Sequence, residues 1–510
     1  MQTDFDVIVV GGGNAALSAA LSAHDHGARV VVLDASTERE RGGNSRFAGA
    51  IFRIAHDGLQ SLVPLLCEEA LADVGNVTCR PYTAENFRDD LLTTSEGRAD
   101  RDEVEVVIEQ GLDIARWLNS KGVRWELNIG KYFSRDAAGD SKLDLMPGAA
   151  LRAAHEGVGL MASLWKAVEE AGIAVRHDSP AHDLLISGDT VTGVRVRQTG
   201  EFVDYTGQVI LACGGFEANP MMRRRYLGEG WDLVKVRGTR FNTGTMLERA
   251  LAAGAQPWGH WGGCHSSPQD MHAPAMGEHG THNQMSRYSY PFSLSVNMKG
   301  ERFMDEGEDS FQYTYAKTGA AIRQQPGAIA YQVFDQKTLH LLEPRYKVAR
   351  RLTADTLEDL AAQMGIPADT FTATVRAFNA ACPDSGGFDP FHNDGLATRG
   401  LTPPKSNWAL PIDTPPFVAF GVTCGITFTY GGLRSDLSAR VINTEGRIMP
   451  GLFAAGEIVG GLFFHNYPGG AGLPRGAIFG RIAGREAAIA ALGGHTVAAH
   501  ADIVRVEQAG

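Results

Sequence analysis

Residues 4–34 read DFDVIVVGGGNAALSAALSAHDHGARVVVLD, and this stretch decides the fold. Val7 to Val10 is a short, uninterrupted apolar run. GGGNAA follows from Gly11 to Ala16, and small residues continue as a predicted helix from Ala15 to Asp25. Ala28 to Leu33 is a second apolar run, ending at Asp34. Continuous apolar strands on either side of a helix are the pattern of a parallel sheet covered on both faces. Gly11, Gly13 and Ala16 satisfy G-x-G-x-x-G/A between strand and helix. The first glycine permits the tight turn, and the second lets backbone approach a pyrophosphate at the helix N-terminus. Asp34 stands where a carboxylate holds a ribose diol and repels a 2′-phosphate, which disfavours an NADP-type ligand. A plain glycine turn is the simpler reading, but it needs neither the flanking strands nor the carboxylate.

Two further glycine-rich segments extend the reading. ERGGNSRFAGA runs from Glu40 to Ala50. GLFAAGE runs from Gly451 to Glu457, ahead of a glycine turn and a predicted helix from about Pro474 to Leu492. A ligand gripped by segments so far apart suits FAD, whose flavin extends away from the first turn, better than NAD. Pro474 is expected at the first helical position, and that N-terminus would stabilise negative charge on a flavin. The expected cofactor contacts in the opening unit are Gly11, Gly13, Asn14, Ala15, Ala16, Asp34 and Ala35. The second glycine segment adds Gly42, Gly43, Asn44, Ser45 and Arg46. Mid-chain contacts are Ala181, Ala212, Gly214, Gly215, Thr243 and Gly244; Gly456, Glu457, Gly472 and Leu473 complete the set. No metal site is expected.

Between these segments a helical stretch is predicted over 84–122. A helix from about Met161 is followed by strands at 173–176, 183–186, 191–197 and 209–213. The region 258–417 is richer in Pro, Asn, Gln, His and aromatics, with helices expected over 356–364 and 369–381. The fold class is therefore α/β. The expectation is a Rossmann-type FAD-binding domain with a mixed sheet (GR2-like) over 1–258 and 418–510, carrying an inserted α+β capping domain over 259–417.

The chain has 510 residues, 44% of them apolar, enough for more than one core. The net charge of −12 and the lack of a basic block argue against nucleic acid. Six cysteines, none in a C-x-x-C pair, argue against iron–sulfur, zinc and c-type haem sites. No signal-peptide pattern and no apolar run of membrane-spanning length is visible, so a cytoplasmic protein is expected.

GGGNAA, ERGGNS, GQVILACGGF, VNMKGERF and GLFAAGE together resemble the fumarate reductase/succinate dehydrogenase flavoprotein superfamily, over almost the whole chain. GGNSRFAGAIFR, the segment near Arg98, HWGGCH, DEGEDSFQYTYAK and NYPGGAG look most like its FAD-dependent tricarballylate dehydrogenases. The resemblance implies an FAD-dependent oxidoreductase acting on a CH–CH bond next to a carboxylate or carbonyl, hydride passing to flavin N5. The partners implied are a small carbonyl or carboxylate substrate and an electron acceptor of unknown identity. The flavin is expected to be non-covalent, because the attaching histidine is replaced near Asn44–Ser45. Of the family's substrate groups, one histidine is retained as His265. The second histidine falls at Phe428, the proton-donating arginine at Ser310, and the clamping arginine at Tyr467.

NYPGGAG is also similar to a segment of 3-ketosteroid dehydrogenases, in which a tyrosine hydroxyl and a backbone N–H four residues later hold a carbonyl oxygen. Here these would be Tyr467 and the N–H of Ala471, an arrangement that stabilises an enolate. Tyr313 and Tyr315 are candidates for the base. An unperturbed tyrosine, with a pKa of about 10, needs a nearby cation to serve at neutral pH, and Arg46 and Arg287 are candidates for it. His465 and Tyr288 are possible neighbours, and Asp305 and Glu306 are expected to hold Arg302. The leading expectation is tricarballylate-like oxidation. Desaturation of a cyclic ketone, in a pocket lined from Trp258, Trp261, Phe428, Phe463 and Phe464, is the alternative, and a non-catalytic electron-transfer subunit is a remote third.

Overall fold

The computed structural model describes residues 3–129, 142–384 and 386–493. The opening unit forms a strand Asp4–Val10, a helix Asn14–Asp25 and a strand Val30–Leu33. The first strand pairs parallel with Val30–Leu33 on one side and with Glu201–Leu211 on the other. Ala174–Arg176 and Ile448–Ala454 extend the parallel part at its two flanks. Ala181–Ser187, Thr190–Gln198 and Arg440–Ile442 add antiparallel pairings, giving an eight-stranded mixed sheet. Successive side chains of the first strand enter different cores: Val7 and Val9 pack with the first helix, Ile8 and Val10 on the opposite face. That is why the run Val7–Val10 carries no polar residue.

A second sheet of six strands is organised around the long strand Phe417–Leu433. Pro257–Asp270, Ile329–Phe334 and Leu352–Ala354 pair antiparallel with it, Leu294–Asn297 joins through Ile329–Phe334, and Lys235–Val236 pairs parallel. Helices Leu357–Met364 and Ala368–Ala381 bury Leu360, Phe371, Val375 and Phe378 against this sheet. The proposed division at 258/259 and 417/418 cuts near the start of both long strands, Pro257–Asp270 and Phe417–Leu433.

Several boundaries differ from expectation for local reasons. The stretch 84–122 is two helices, Ala84–Thr94 and Arg101–Ser120. Glu96 and Gly97 take positive φ between them, and Asp100 caps the second by accepting from the backbone N–H of Asp102 and Glu103. The helix expected from Met161 begins at Glu156. The last helix spans Gly472–Ala491, so Pro474 lies inside its first turn instead of at its first position. The missing N–H of Pro474 still falls among the first-turn donors that have no intrahelical partner. Arg302 is held by Glu306, with an Nη2–Oε2 distance of 2.5 Å, while Asp305 turns away to the backbone N–H groups of Gly307 and Ser406.

One contact joins the beginning of the fold to its end. The helix Gly472–Ala491 lies against Asn14–Asp25 along Gly480 and Gly484. A Cβ on Gly480 would stand 2.4 Å from the carbonyl oxygen of Ala15, and one on Gly484 would stand 2.2 Å from that of Ala19. Ser22 donates to the carbonyl of Arg481 at 2.7 Å, and Asn14 Nδ2 to that of Leu473 at 2.8 Å. Gly480→Val should therefore lower unfolding stability by about 1–3 kcal/mol or more through overpacking. Thermal unfolding checks it: an unchanged Tm would mean that the two helices part without cost.

Candidate active site

One continuous cavity of about 290 Å³ begins at the glycine turn of the first strand and runs between the two sheets. Gly11, with φ 125°, is pressed against the backbone: a Cβ there would meet the carbonyl oxygen of Ala212 at 2.3 Å. A Cβ on Gly12 would meet Asp34 Oδ2 at 2.4 Å. Neither Gly13, at the start of the first helix, nor Ala471, at the start of the helix Gly472–Ala491, offers a side-chain cap, and the first N–H groups donate instead to Ser45 Oγ at 3.0 Å (Asn14) and to Tyr467 Oη at 3.3 Å (Gly472). Two uncapped helix N-termini thus border one cavity, and each favours negative charge. Asp34 is buried at the edge of the cavity. Its oxygens accept from the N–H of Ser36 at 3.1 Å and from the hydroxyl of Ser36 at 2.7 Å. Ser36, absent from the expected set, holds the carboxylate in place. This cradle fits FAD: a backbone-only turn and helix end for the pyrophosphate, a carboxylate for the ribose, and a second helix end further along.

Of the expected cofactor residues, Gly11, Gly13, Asn14, Ala15, Asp34, Ala35, Gly43, Asn44 and Ser45 line the cavity. So do Ala181, Ala212, Gly214, Thr243, Gly244, Gly456, Glu457, Gly472 and Leu473. Ala16, Gly42, Gly215 and Arg46 do not. Ala16 is buried beneath the helix, and Gly215 packs behind Glu457, where a Cβ would meet Glu457 Oε1 at 2.3 Å. Behind the wall stands a buried acid pair. Glu217 is hydrogen-bonded to Glu457 and accepts from Asn44 at 2.5 Å and from Asn242 at 2.6 Å. Burial, and then the charge of Glu457, hold the Glu217 carboxyl well above the usual range.

At the far end His265, Tyr288, Tyr315, Phe428, Phe463 and Tyr467 line the cavity. The imidazole of His265 lies 4.8 Å from the ring of Tyr315 and 5.3 Å from that of Tyr467, centroid to centroid. Burial first, and then the charge of Arg237, hold His265 well below the ordinary histidine range, so it is a neutral imidazole. Its Nδ1 has no hydrogen-bond partner among the described residues. Burial raises Tyr467 above the ordinary tyrosine range. The Tyr467 oxygen accepts from the N–H of Gly470 at 2.9 Å and of Gly472 at 3.3 Å. The Tyr315 hydroxyl is also hydrogen-bonded to it, in the sense that favours the ionised form of Tyr467.

The structure does not bring the other expected catalytic residues into the cavity wall. Tyr313 donates to Asp90 at 2.9 Å, and Arg53 lies over its ring. Arg287 is fully buried on Asp270, 2.8 Å away. Arg46 is half-buried outside the cavity, in the field of Arg41. The N–H of Ala471 is used by the carbonyl of Pro468 at 3.2 Å. Trp258, Trp261 and Phe464 also lie outside the lining, and His465 lies beside His260. A buried cation does stand behind the tyrosines, and it is Arg53. Its Nε donates to the carbonyl of Gly469 at 2.9 Å, and its charge opposes the burial of Tyr467. Arg237, Asn283 and Arg345, unmarked in the sequence reading, complete the far end.

Residues 6–473 match the FAD binding domain family, FAD_binding_2. The chain is 28% identical to NADH:acrylate oxidoreductase of Vibrio harveyi, over 96% of this chain and 50% of that protein. It is 31% identical to 3-oxosteroid 1-dehydrogenase of Mycobacterium tuberculosis, over 62% of this chain and 60% of that protein. The chain therefore spans about half to three-fifths of the length of these relatives. Among solved structures, a 3-ketosteroid delta1-dehydrogenase from Sterolibacterium denitrificans superposes with a TM-score of 0.71 at 22% identity, covering 96% of this chain and 100% of that one. The open conformation of a flavocytochrome c3 fumarate reductase gives 0.69 at 24% identity, covering 96% and 79%. At these identities the likeness shows a shared fold.

The acid pair yields a test with a definite sign. The Glu217 carboxyl is raised in the folded protein, so the folded state keeps a proton that the unfolded chain gives up above its ordinary value of 4.5. Stability from this group is full below 4.5 and is lost as pH rises toward the raised value. Glu217→Gln keeps an acceptor for Asn44 and Asn242 but cannot ionise. The stability of the variant relative to the parent protein should therefore grow as pH rises above 4.5. Parallel stability–pH curves from thermal unfolding would exclude a shared proton.

Proposed function

The chain belongs to the FAD binding domain family, and from that premise we propose an FAD-dependent oxidoreductase that dehydrogenates a C–C bond next to a carboxylate. The finer reading is oxidation of a tricarballylate-like polycarboxylate. The observation that carries the proposal is the meeting of His265, Tyr315, Tyr467 and two guanidinium groups, Arg237 and Arg345, at the far end of the cavity that starts at Gly11.

Gly11, Gly13, Asn14 and Asp34 would hold one end of FAD, and Gly456, Gly472 and Leu473 the other. Bound there, FAD supplies the acceptor for the hydride leaving the substrate β-carbon. The remaining work falls to the chain. Tyr315 Oη is the group placed to take the α-proton. Tyr467 is hydrogen-bonded to that hydroxyl and is itself fixed by two backbone N–H groups, so neither ring needs reorienting. Arg53 anchors the Gly469 carbonyl and with it the loop carrying Tyr467. Phe428 and Phe463 pack 5.2 and 5.0 Å from the Tyr467 ring and keep water from this end. Neutral His265 offers a hydrogen bond without adding charge.

The ketone reading draws on the same Tyr467 and the aromatic lining, and on the relative named 3-oxosteroid 1-dehydrogenase. It also calls for the N–H of Ala471, and that donor is occupied by Pro468. Arg237, which has no carboxylate partner among the described residues, favours an anion over a neutral ketone.

Anaerobic loss of flavin absorbance separates the two. The FAD-loaded protein should be bleached by tricarballylate or succinate and not by cyclic ketones. Tyr315→Phe should slow bleaching by about 10²- to 10⁴-fold, the span of general-base catalysis, with FAD content unchanged. Bleaching by ketones alone would overturn the carboxylate reading, and a Tyr315→Phe variant as fast as the parent would remove Tyr315 from proton transfer.

A further inference from the structure

Three arginines line the cavity, and they differ in one respect. Arg475 has Glu103 at 2.5 Å, and Arg345 is paired with Glu343. Arg237 has no carboxylate within 4.0 Å among the described residues. Its Nη1 donates to the Thr427 hydroxyl at 3.0 Å. Its Nη2 donates to Asn283 Oδ1 at 2.9 Å and reaches the carbonyl of Phe47 at 3.5 Å. All these acceptors are neutral, and Nε is buried without any acceptor. Arg223, which is buried, also stands outside the carboxylate pairs, but it has its Nε and both Nη groups on carbonyls of 217, 231, 232 and 234, and it lies away from the cavity. Arg237 is thus the cavity arginine with a charge left uncompensated and a donor left unused.

The neighbouring atoms point the same way. His265, 2% exposed and in the field of Arg237, also lacks a partner at Nδ1. A guanidinium with an open N–H and an imidazole with an open nitrogen form a two-point receptor for an oxygen anion. Asn283 fixes the fork from behind. Its Oδ1 takes Arg237 Nη2 and, at 3.3 Å, Arg345 Nη1, while its Nδ2 donates to Glu156 at 3.3 Å. The backbone of Arg237 is itself pinned by its N–H on the carbonyl of Ile426 at 2.8 Å, at the end of the parallel pairing Lys235–Val236.

We propose that Arg237 anchors a substrate carboxylate, with His265 beside it completing the receptor, so that Arg237 decides for carboxylates against neutral carbonyl compounds. This rests on the carboxylate reading above and assigns it to one residue. Arg237 is half-buried with no carboxylate partner among the described residues, and the arriving anion supplies one. A neutral amide of the same shape cannot.

The test is equilibrium binding to the FAD-loaded protein, read from the perturbation of flavin absorbance on titration. Succinate and tricarballylate are compared with the neutral succinamide. Arg237→Gln should weaken the carboxylates about 10- to 100-fold, the worth of a hydrogen bond to a charged group, and leave succinamide unchanged. Arg237→Lys, which keeps the charge and loses the fork, should lose less. FAD content should stay at the parental ratio in both. If Arg237→Gln binds carboxylates as the parent does, Arg237 is not the anchor, while the carboxylate reading stands. If the parent protein binds no carboxylate, both fall together. If both variants lose FAD, Arg237 serves the cofactor and the proposal is overturned.

Discussion

The close approach of the helices Asn14–Asp25 and Gly472–Ala491 is the contact on which the rest depends. Glycines at 480 and 484 remove the side chains that would hold the axes apart, and backbone meets backbone. This sets the two uncapped N-termini beside one another and so gives the cavity two regions of positive potential along its length. The dinucleotide turn, the Tyr467–Gly472 loop and the wall at Gly456 all take their positions from that pair.

Most of the buried arginines are paired with a carboxylate, and Arg223, held by backbone carbonyls, is an exception. Arg53 is paired with Asp90, Arg287 with Asp270, Arg302 with Glu306, Arg345 with Glu343 and Arg475 with Glu103. Each pair resolves the desolvation of a guanidinium locally, which is why Arg287, expected as the cation beside the catalytic tyrosine, is committed elsewhere. Arg53 combines two tasks. Its ion pair is with Asp90, and its Nε reaches the Gly469 carbonyl, so a charge far from the surface steadies a loop of small residues. Around Glu217 and Glu457 burial instead pushes both carboxyls above their usual range.

The opening βαβ unit was legible because its signals are local: apolar runs, glycine spacing and a terminal carboxylate lie within about thirty residues. Most of the glycines that line the cavity were legible for the same reason. The far end of the cavity was not, because it is assembled from loops that meet only through the six-stranded sheet. Arg237 follows a two-residue strand, Asn283 lies in an irregular segment, and Arg345 sits in a short turn. None of them carries a pattern of its own. Tyr313 and Tyr315 show an intermediate case. Two residues apart on the helix Phe311–Arg323, they project to nearly opposite faces, so only one can reach the cavity. A helix assigned over those positions would have separated them. Arg53 gave no signal, being one arginine after an apolar pair.

The contact between the first helix and the last also orders events during synthesis. Asn14 leaves the ribosome before the last helix, and Gly480 follows it some 466 positions later. At about 5–20 residues per second, the nascent βαβ unit waits roughly 20–90 s for the helix that seals it. Through that interval its Ala15–Ala19 face is bare and the cofactor cradle lacks its second wall. The cofactor cradle therefore stays incomplete until the helix Gly472–Ala491 has emerged.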